Sequence, residues 1–206
     1  MRKIVPYKTM HGALRALDNG GRFFNLFADA DDKVIEPSEL ARATGSLSLS
    51  AKTFLHYEMA LLELPPEQQA ETTALLSPEL RKKYEIHRPQ TMAPSSVEVE
   101  GKEGMPAIVS GFPVFVEKKN QFKGSIVMVV PVIALIPIID LFDVYEVFDT
   151  PEMKTPRTVI ATARGSKRLD NDFSRFGGIL RELQFEDKTG KNHGLYLDTL
   201  FYTPLG

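Results

Sequence analysis

The spacing of the apolar residues changes near residue 90, and this change constrains the fold more than any other feature of the chain. Before it, apolar side chains recur every three or four residues, as at Met10, Leu14 and Leu17, which is the repeat of an amphipathic helix. After it, β-branched and aromatic residues follow a two-residue repeat, which is typical of strands. The pattern predicts an α+β protein, with an N-terminal bundle of short helices followed by a small antiparallel β-barrel or sandwich.

Proline and glycine mark the ends of the predicted elements. Pro65–Pro66 ends one helical segment and opens the next, and Ser77–Pro78 has the form of an N-cap followed by proline at the first helical position. Residues 89–96 include two prolines and few apolar side chains, which is typical of a linker. We therefore expect a helical domain over residues 1–88, that linker, and a β domain over residues 97–206.

Short segments rich in β-branched residues fill the second half of the chain. Pro113, Pro131 and Pro137 interrupt these segments, which favours sheet edges or bulges at those points. A series of short strands is typical of a barrel or sandwich, and an OB-type barrel is one form that it can take. The predicted strands are residues 96–100, 107–118, 124–132, 136–148, 157–165, 177–187 and 194–202.

The longest apolar run, residues 126–139, is the one candidate for a membrane element. It is too short to cross a bilayer as a helix, and Pro131 and Pro137 would break it, so buried strands are expected instead. The N-terminus lacks the apolar core of a secretory signal, since Lys8 and His11 interrupt it. We expect a cytoplasmic protein without membrane contact.

The composition excludes several kinds of chemistry. The chain has 206 residues and no cysteine, which excludes disulfides, thiol catalysis and cysteine-ligated zinc. Its formal net charge of −2 gives no overall attraction to nucleic acid or to acidic lipid. Nucleotide-binding, dinucleotide-binding and serine-hydrolase motifs are absent from the sequence, and the four histidines follow no metal-binding spacing. We expect no cofactor, and we favour a non-enzymatic protein that binds a partner over an enzyme.

The stretch DADDKVIEPSEL, residues 29–40, places several carboxylates in a short turn between two predicted helices. Allowing for one missing residue, their spacing matches the oxygen ligands at both ends of a calcium loop. The segment 21–45 resembles an EF-hand whose loop is one residue short and lacks its glycine. The resemblance implies an incoming helix with Phe23, Phe24 and Phe27 on one face. Its implied calcium ligands are Asp29, Asp31, Asp32 and Glu39.

The shortened loop changes what this resemblance predicts. Removing one residue displaces ligands from the calcium shell, and Lys33 places a positive charge where the cation would lie. We therefore expect a helix–turn–helix without a functional metal site. Pro37 at the start of the second helix and acidic residues near its positive end fit an ordinary acidic turn.

A second cluster, between residues 161 and 178, combines basic and aromatic residues. OB-type barrels bind single strands by pairing cations with phosphates and aromatic rings with bases. Asp170, Asn171 and Asp172 interrupt the cluster, and residues 90–206 contain 13 basic and 15 acidic residues. A solvated loop with its phenylalanines packed on the barrel is the competing interpretation. The candidate nucleic-acid contacts are Arg164, Lys167, Arg168, Phe173, Arg175 and Phe176.

Two functional hypotheses follow from these patterns. The first is a non-enzymatic binding or scaffold protein that presents a helical module and a β-barrel to a protein partner. The second is a single-stranded nucleic-acid binder that uses the basic and aromatic loop at residues 161–178. An enzyme without recognisable motifs is a third reading of the same sequence.

Overall fold

The computed structural model describes residues 1–20, 28–46, 48–117, 124–130, 132–152, 158–187 and 190–205, and the side chains of residues 127–130, 132–135, 185–187 and 190–192 lie outside this description. The described residues form helices and one mixed sheet, so the α+β prediction is confirmed. The helices are α1 Met10–Leu17, α2 Pro37–Thr44, α3 Ala51–Leu61, α4 Pro66–Ala74, α5 Pro78–His87, α6 Val97–Glu100 and α7 Ile138–Leu141. The strands are β1 Arg2–Lys3, β2 Gln90–Met92, β3 Pro106–Phe115, β4 Gly124–Val130, β5 Val132–Pro137, β6 Phe142–Phe148, β7 Thr158–Ala163, β8 Ser174–Asp187 and β9 Gly190–Pro204.

The chain divides into two compact units. The helical unit is Ile4–Pro89, and the sheet unit combines Met1–Lys3 with Gln90–Gly206. The chain therefore begins in the sheet unit, passes through the helical unit and returns to the sheet. The sequence pattern assigned the first three residues to the helices because two residues of strand are too short to show a period.

Local sequence signals explain where the helices of the helical unit start and stop. The Thr9 side chain accepts a hydrogen bond from the Gly12 N–H and caps α1. Proline occupies the first turn of α2, α4 and α5, where its missing N–H removes no helical hydrogen bond. Gly45 ends α2 with a φ of 65°, a left-handed conformation that glycine adopts without steric cost.

The helices of this unit bury one apolar cluster. Its members lose their contact with water almost completely, which is the main source of stability for a small helical domain. A short parallel bridge between Ile35 and Leu76 joins the turn before α2 to the turn before α5. The cluster includes Leu17, Leu40, Phe54, Tyr57, Leu61, Leu80 and Tyr84.

The sheet unit contains both parallel and antiparallel pairs, so the expectation of a purely antiparallel sheet is wrong. β1 runs parallel to β9, β2 to β3, and β7 to β9. Five of the strands pair in succession, β3 with β8, β8 with β9, β9 with β7, β7 with β6, and β6 with β3. The β4–β5 hairpin extends the sheet from β8. The apolar core of the sheet unit contains Tyr145, Phe176, Leu180 and Leu197.

Two segments differ from their predicted structure. The predicted linker 89–96 contains β2, which pairs with Ala107–Val109 along one edge of β3. The predicted strand at residues 96–100 is wrong, because Val97–Glu100 forms one helical turn. Four residues are too few to separate a two-residue repeat from a helical one. The turn buries Val97 completely and leaves Val99 85% exposed.

The apolar run 126–139 forms β4 and β5 and then enters α7. Pro137 closes β5, and Pro113 lies in β3 where that strand pairs with β6; Pro131 lies outside the described residues. Within the described parts of the chain, no helix combines the length and hydropathy that crossing a membrane requires.

Candidate functional site

The carboxylate of Glu39, the last implied calcium ligand, is occupied by the backbone of its own unit. The residue is fully buried. Its Oε1 accepts hydrogen bonds from the N–H groups of Asn19 at 2.6 Å and Gly20 at 2.5 Å, and its Oε2 accepts one from Glu36 at 2.8 Å. Burial raises the pKa of this carboxyl, against the lowering effect of the three backbone donors. Glu39 therefore links the end of α1 to the start of α2.

The remaining implied ligands do not converge with Glu39 on one point. Asp18, rather than the acidic stretch, organises the turn, because its carboxylate accepts hydrogen bonds from the N–H groups of Asp32 and Lys33. Asp29 and Asp31 are exposed, and Asp32 accepts a hydrogen bond from the Val34 N–H. Over the described residues, no three histidine, aspartate or glutamate side chains lie close enough to hold a metal ion. The predicted phenylalanine face, Phe23, Phe24 and Phe27, lies outside those residues.

The loop between β7 and β8, residues 164–173, is held against β6. The Asp143 carboxylate accepts hydrogen bonds from the N–H groups of Gly165 at 2.8 Å and Ser166 at 3.1 Å. The Leu169 N–H donates to the hydroxyl of Tyr145 at 3.3 Å, and Arg164 donates to the carbonyl oxygen of Asp140 at 3.0 Å. These contacts fix the backbone of the loop beside the sheet.

The basic and aromatic residues predicted in this region do not share one surface. Arg168 lies 4.3 Å from the centre of the Phe115 ring and 3.5 Å from the Glu117 carboxylate. Phe173 packs on Phe112 at 5.1 Å between ring centres. Phe176 is completely buried in the sheet-unit core and cannot stack on a base.

The other predicted contacts differ in their exposure. Arg164, Lys167 and Arg168 are exposed, whereas Arg175 is partly buried on β8. Of the predicted contacts, Arg168 and Phe173 each contact an aromatic ring of β3, and the aromatic neighbour of Arg168 is Phe115 rather than either predicted phenylalanine.

This arrangement forms one wall of an open cleft of about 640 Å³, which we call the β-unit cleft. The end of β3, the middle of β6 and the β7–β8 loop surround it. It combines two carboxylates and one guanidinium with aromatic and apolar surface. The residues that define it are Phe115, Glu117, Glu146, Arg168, Leu169 and Asn171.

Glu146, like Phe115 and Glu117, is a residue of this cleft that the sequence patterns missed. It lies on β6, paired in register with Val114 of β3 and Val159 of β7, and is partly buried. Of the residues that the structure describes, none donates a hydrogen bond to its carboxylate or forms an ion pair with it. Burial raises the pKa of the Glu146 carboxyl. The sequence signal for Glu146 was that it is the single acid in the apolar segment VYEVF, residues 144–148, and this signal is weak.

The helical unit has a cleft of similar size, about 580 Å³, but several of its polar groups are already paired. Tyr84 donates its hydroxyl to the Glu58 carboxylate, and Arg88 lies 3.8 Å from the same group. Arg81 donates to the carbonyl oxygen of Ala74 at 2.6 Å. Burial raises the pKa of Glu58, while Tyr84 and Arg88 oppose that rise. Glu58 and Arg81 therefore have a structural role, because each links two helices of the unit.

No protein-family model matches the chain, and no curated protein matches it. The β-unit cleft is the strongest candidate site because it holds a partly buried acid that no described group pairs with.

Proposed function

We propose that this chain is a non-enzymatic binding protein whose β-unit cleft recognises a protein partner, with the helical unit as a second recognition module. The observation that carries the proposal is the Glu146 carboxylate, partly buried in an open cleft and without a paired group among the described residues. A partly desolvated charge is costly until a ligand supplies its counterpart. Ligand binding would remove that cost.

The lining of the cleft also fits a protein partner. Aromatic residues and arginine are enriched at protein interfaces, because they combine apolar contact area with directional polar groups. Phe115 and Arg168 supply both, and their stacked geometry limits the side-chain freedom that binding must remove. The backbone of the β7–β8 loop is already held by hydrogen bonds to Asp143, so this side of the cleft loses little conformational freedom when a partner binds.

Capture from cell lysate tests the proposal when the wild-type protein is compared with a variant blocked at the cleft. Asn171→Arg introduces a long side chain at an exposed position of the cleft, and Gln90→Arg makes the same charge change at an exposed position of β2, outside the cleft. We expect the wild type and Gln90→Arg to retain one protein, whether or not nuclease is present. Asn171→Arg should lose it. Equal retention by all three would refute the assignment of the cleft.

A second candidate function is single-stranded nucleic-acid binding, and the strand pairing of the sheet unit favours it. β3, β6, β7, β8 and β9 form a closed series of pairs in which β3 lies between β6 and β8, and β7 runs parallel to β9. We interpret this connectivity as an OB-type barrel, a fold that binds oligonucleotides and oligosaccharides.

Salt dependence distinguishes the two candidates. If Arg164, Lys167 and Arg168 each neutralised one phosphate, the affinity for an oligothymidine would fall by about 20-fold between 50 and 200 mM salt, following the relation for single strands. Replacing all three by glutamine should then abolish most of that dependence. We expect instead that the oligothymidine binds weakly, because Glu117, Asp170 and Asp172 lie beside the same cations in space or in sequence.

A further inference from the structure

Among the described residues, the charges that line the β-unit cleft do not balance. Its described lining contains two carboxylates, Glu117 and Glu146, and one guanidinium, that of Arg168. Arg168 lies over the Phe115 ring with its Nη1 atom 3.5 Å from Glu117. Its charge is therefore directed at Glu117, and Glu146 remains as the excess acid among the described residues of the cleft.

The Arg168 contacts also show how this surface holds a cation. A guanidinium is stabilised there by the face of an aromatic ring together with a carboxylate, a combination that is worth more where water is partly excluded. Glu146 offers the second carboxylate, and Leu169 and Val116 offer apolar surface along which the methylene groups of a long side chain can pack. Asn171 adds an amide oxygen as a further hydrogen-bond acceptor.

We propose that the β-unit cleft binds a lysine or arginine side chain of the partner protein, with Glu146 as its counter-ion. This inference rests on the proposed function and specifies the chemistry of the partner. Complementary charge selects the occupant: a cation neutralises the excess acid, whereas a phosphate at the same place would lie against two carboxylates. A basic peptide segment is therefore the partner that the cleft favours over a nucleic acid.

Fluorescence anisotropy with labelled peptides tests this inference on the full chain. The probes are a glycine–serine peptide with a central Arg-Lys-Arg, the same peptide with three glutamines, and the same peptide with three glutamates. An oligothymidine of similar length is the fourth probe. We expect binding of the basic peptide only.

Substitution of Glu146 then identifies the counter-ion. Glu146→Gln preserves the shape of the side chain and removes its charge, and it should weaken binding of the basic peptide by about tenfold or more, as loss of a charge-assisted hydrogen bond does. Glu103→Gln makes the same charge change at an exposed position of the sheet unit outside the cleft and should have little effect. Glu146→Asp should restore part of the affinity.

Each other outcome contradicts the inference. Equal weakening by Glu146→Gln and Glu103→Gln would show that the peptide responds only to overall charge, and absence of peptide binding or preferential binding of the oligothymidine would exclude a basic peptide as occupant. The proposed function is tested separately by capture from lysate. If the captured protein is lost with Asn171→Arg but kept with Glu146→Gln, the cleft binds a protein, but the inference that Glu146 pairs with a cationic side chain of that protein is refuted. Circular dichroism of each variant confirms that the fold is retained.

Discussion

At the scale of single residues, two glutamates differ in whether the described residues pair with their carboxylates. Glu39 is fully buried, yet three backbone N–H groups surround its carboxylate, so its charge is used within the fold. Glu146 is only partly buried, and none of the described residues pairs with its carboxylate. A desolvated acid without a partner is the kind of group that ligands complete.

Replacing Glu39 by alanine should destabilise the helical unit by about 2–4 kcal/mol. The change leaves several buried N–H donors without an acceptor and removes the capping box of α2, and each such loss costs about 1–3 kcal/mol before local relaxation. Urea unfolding followed by far-ultraviolet circular dichroism measures the change. Asp29→Ala, at an exposed position of the same turn, should change the free energy of unfolding by less than about 0.5 kcal/mol.

Thermal melts of the wild type and of variants of the acidic turn test the expectation that calcium does not bind there. Thermal melts of the wild type in millimolar calcium and in chelator should coincide, because Glu39 already accepts three backbone hydrogen bonds. A ligand of micromolar Kd at about 1,000-fold excess would add about 4 kcal/mol to the stability. A calcium-dependent rise that Asp29→Ala or Asp31→Ala abolishes would show that the turn rearranges around the ion.

Glu146→Gln should stabilise the unliganded protein at neutral pH. Burial raises the pKa of Glu146 in the folded state, so its contribution to stability is fully present below the unfolded pKa of about 4. That contribution is lost as the pH rises through the folded pKa. The stability of the variant relative to the wild type should therefore grow from about pH 4 towards neutrality. Urea unfolding at a series of pH values measures it, and a constant or shrinking difference would contradict it.

At the scale of elements, the long β8–β9 pair depends on a glycine at the point where its register shifts. The register of the pair shifts between Gly177 and Gly178. A β-carbon at Gly178 would lie far inside contact distance of the Asp198 carbonyl oxygen. The two backbones approach each other there more closely than any side chain permits, which is a recognised role of glycine in strands. β9 also pairs with β7 at Asp198 and its neighbours, so this approach affects two strand pairs.

Gly178→Ala should destabilise the sheet unit by about 3 kcal/mol or more, because the added methyl group must push β8 and β9 apart in a packed core. Gly104→Ala is the matched control. Gly104 has a φ of 82° and open space around its β-carbon position, so that change should cost only the left-handed backbone strain of about 1–2 kcal/mol. Chemical unfolding of both variants measures the difference, and equal losses would show that contact at Gly178 is relieved by small shifts.

At the scale of the whole molecule, the helical unit is an insertion between β1 and β2. Residues Met1–Lys3 belong with the sheet, where β1 pairs with Phe201–Tyr202 and Arg2 lies 5.2 Å from the centre of the Phe201 ring. The helical unit has an apolar cluster of its own. A segment that buries its own hydrophobic core meets the main requirement for folding independently.

The fragment 4–89 should therefore fold alone, with a helical circular-dichroism spectrum and a cooperative thermal transition. A deletion of residues 1–3 from the full chain should lower the stability of the sheet unit and leave that of the helical unit unchanged, because β1 is lost from β9. Calorimetry of the fragment and of the truncated chain measures both effects. A fragment that unfolds without cooperativity would show that its core requires the rest of the chain.

The sequence by itself determined the features that depend on neighbours along the chain. Helix starts at Pro37, Pro66 and Pro78, the stop at Gly45, and the change from helices to strands all follow from short-range rules of capping and periodicity. The α+β class followed from them. The EF-hand-like spacing was visible in the same way, but the sequence pattern did not show that backbone donors surround Glu39.

Only the tertiary structure decided which distant segments meet. The parallel pairing of β7 with β9, the addition of β2 to β3 and the return of the first three residues to the sheet depend on hydrogen bonds between residues far apart in the chain, and no local pattern specifies them. The cleft has the same origin, since Phe115, Glu146 and Arg168 come from β3, β6 and the β7–β8 loop. Their side chains acquire a common chemistry only when the sheet has brought them together and has removed part of the water around Glu146.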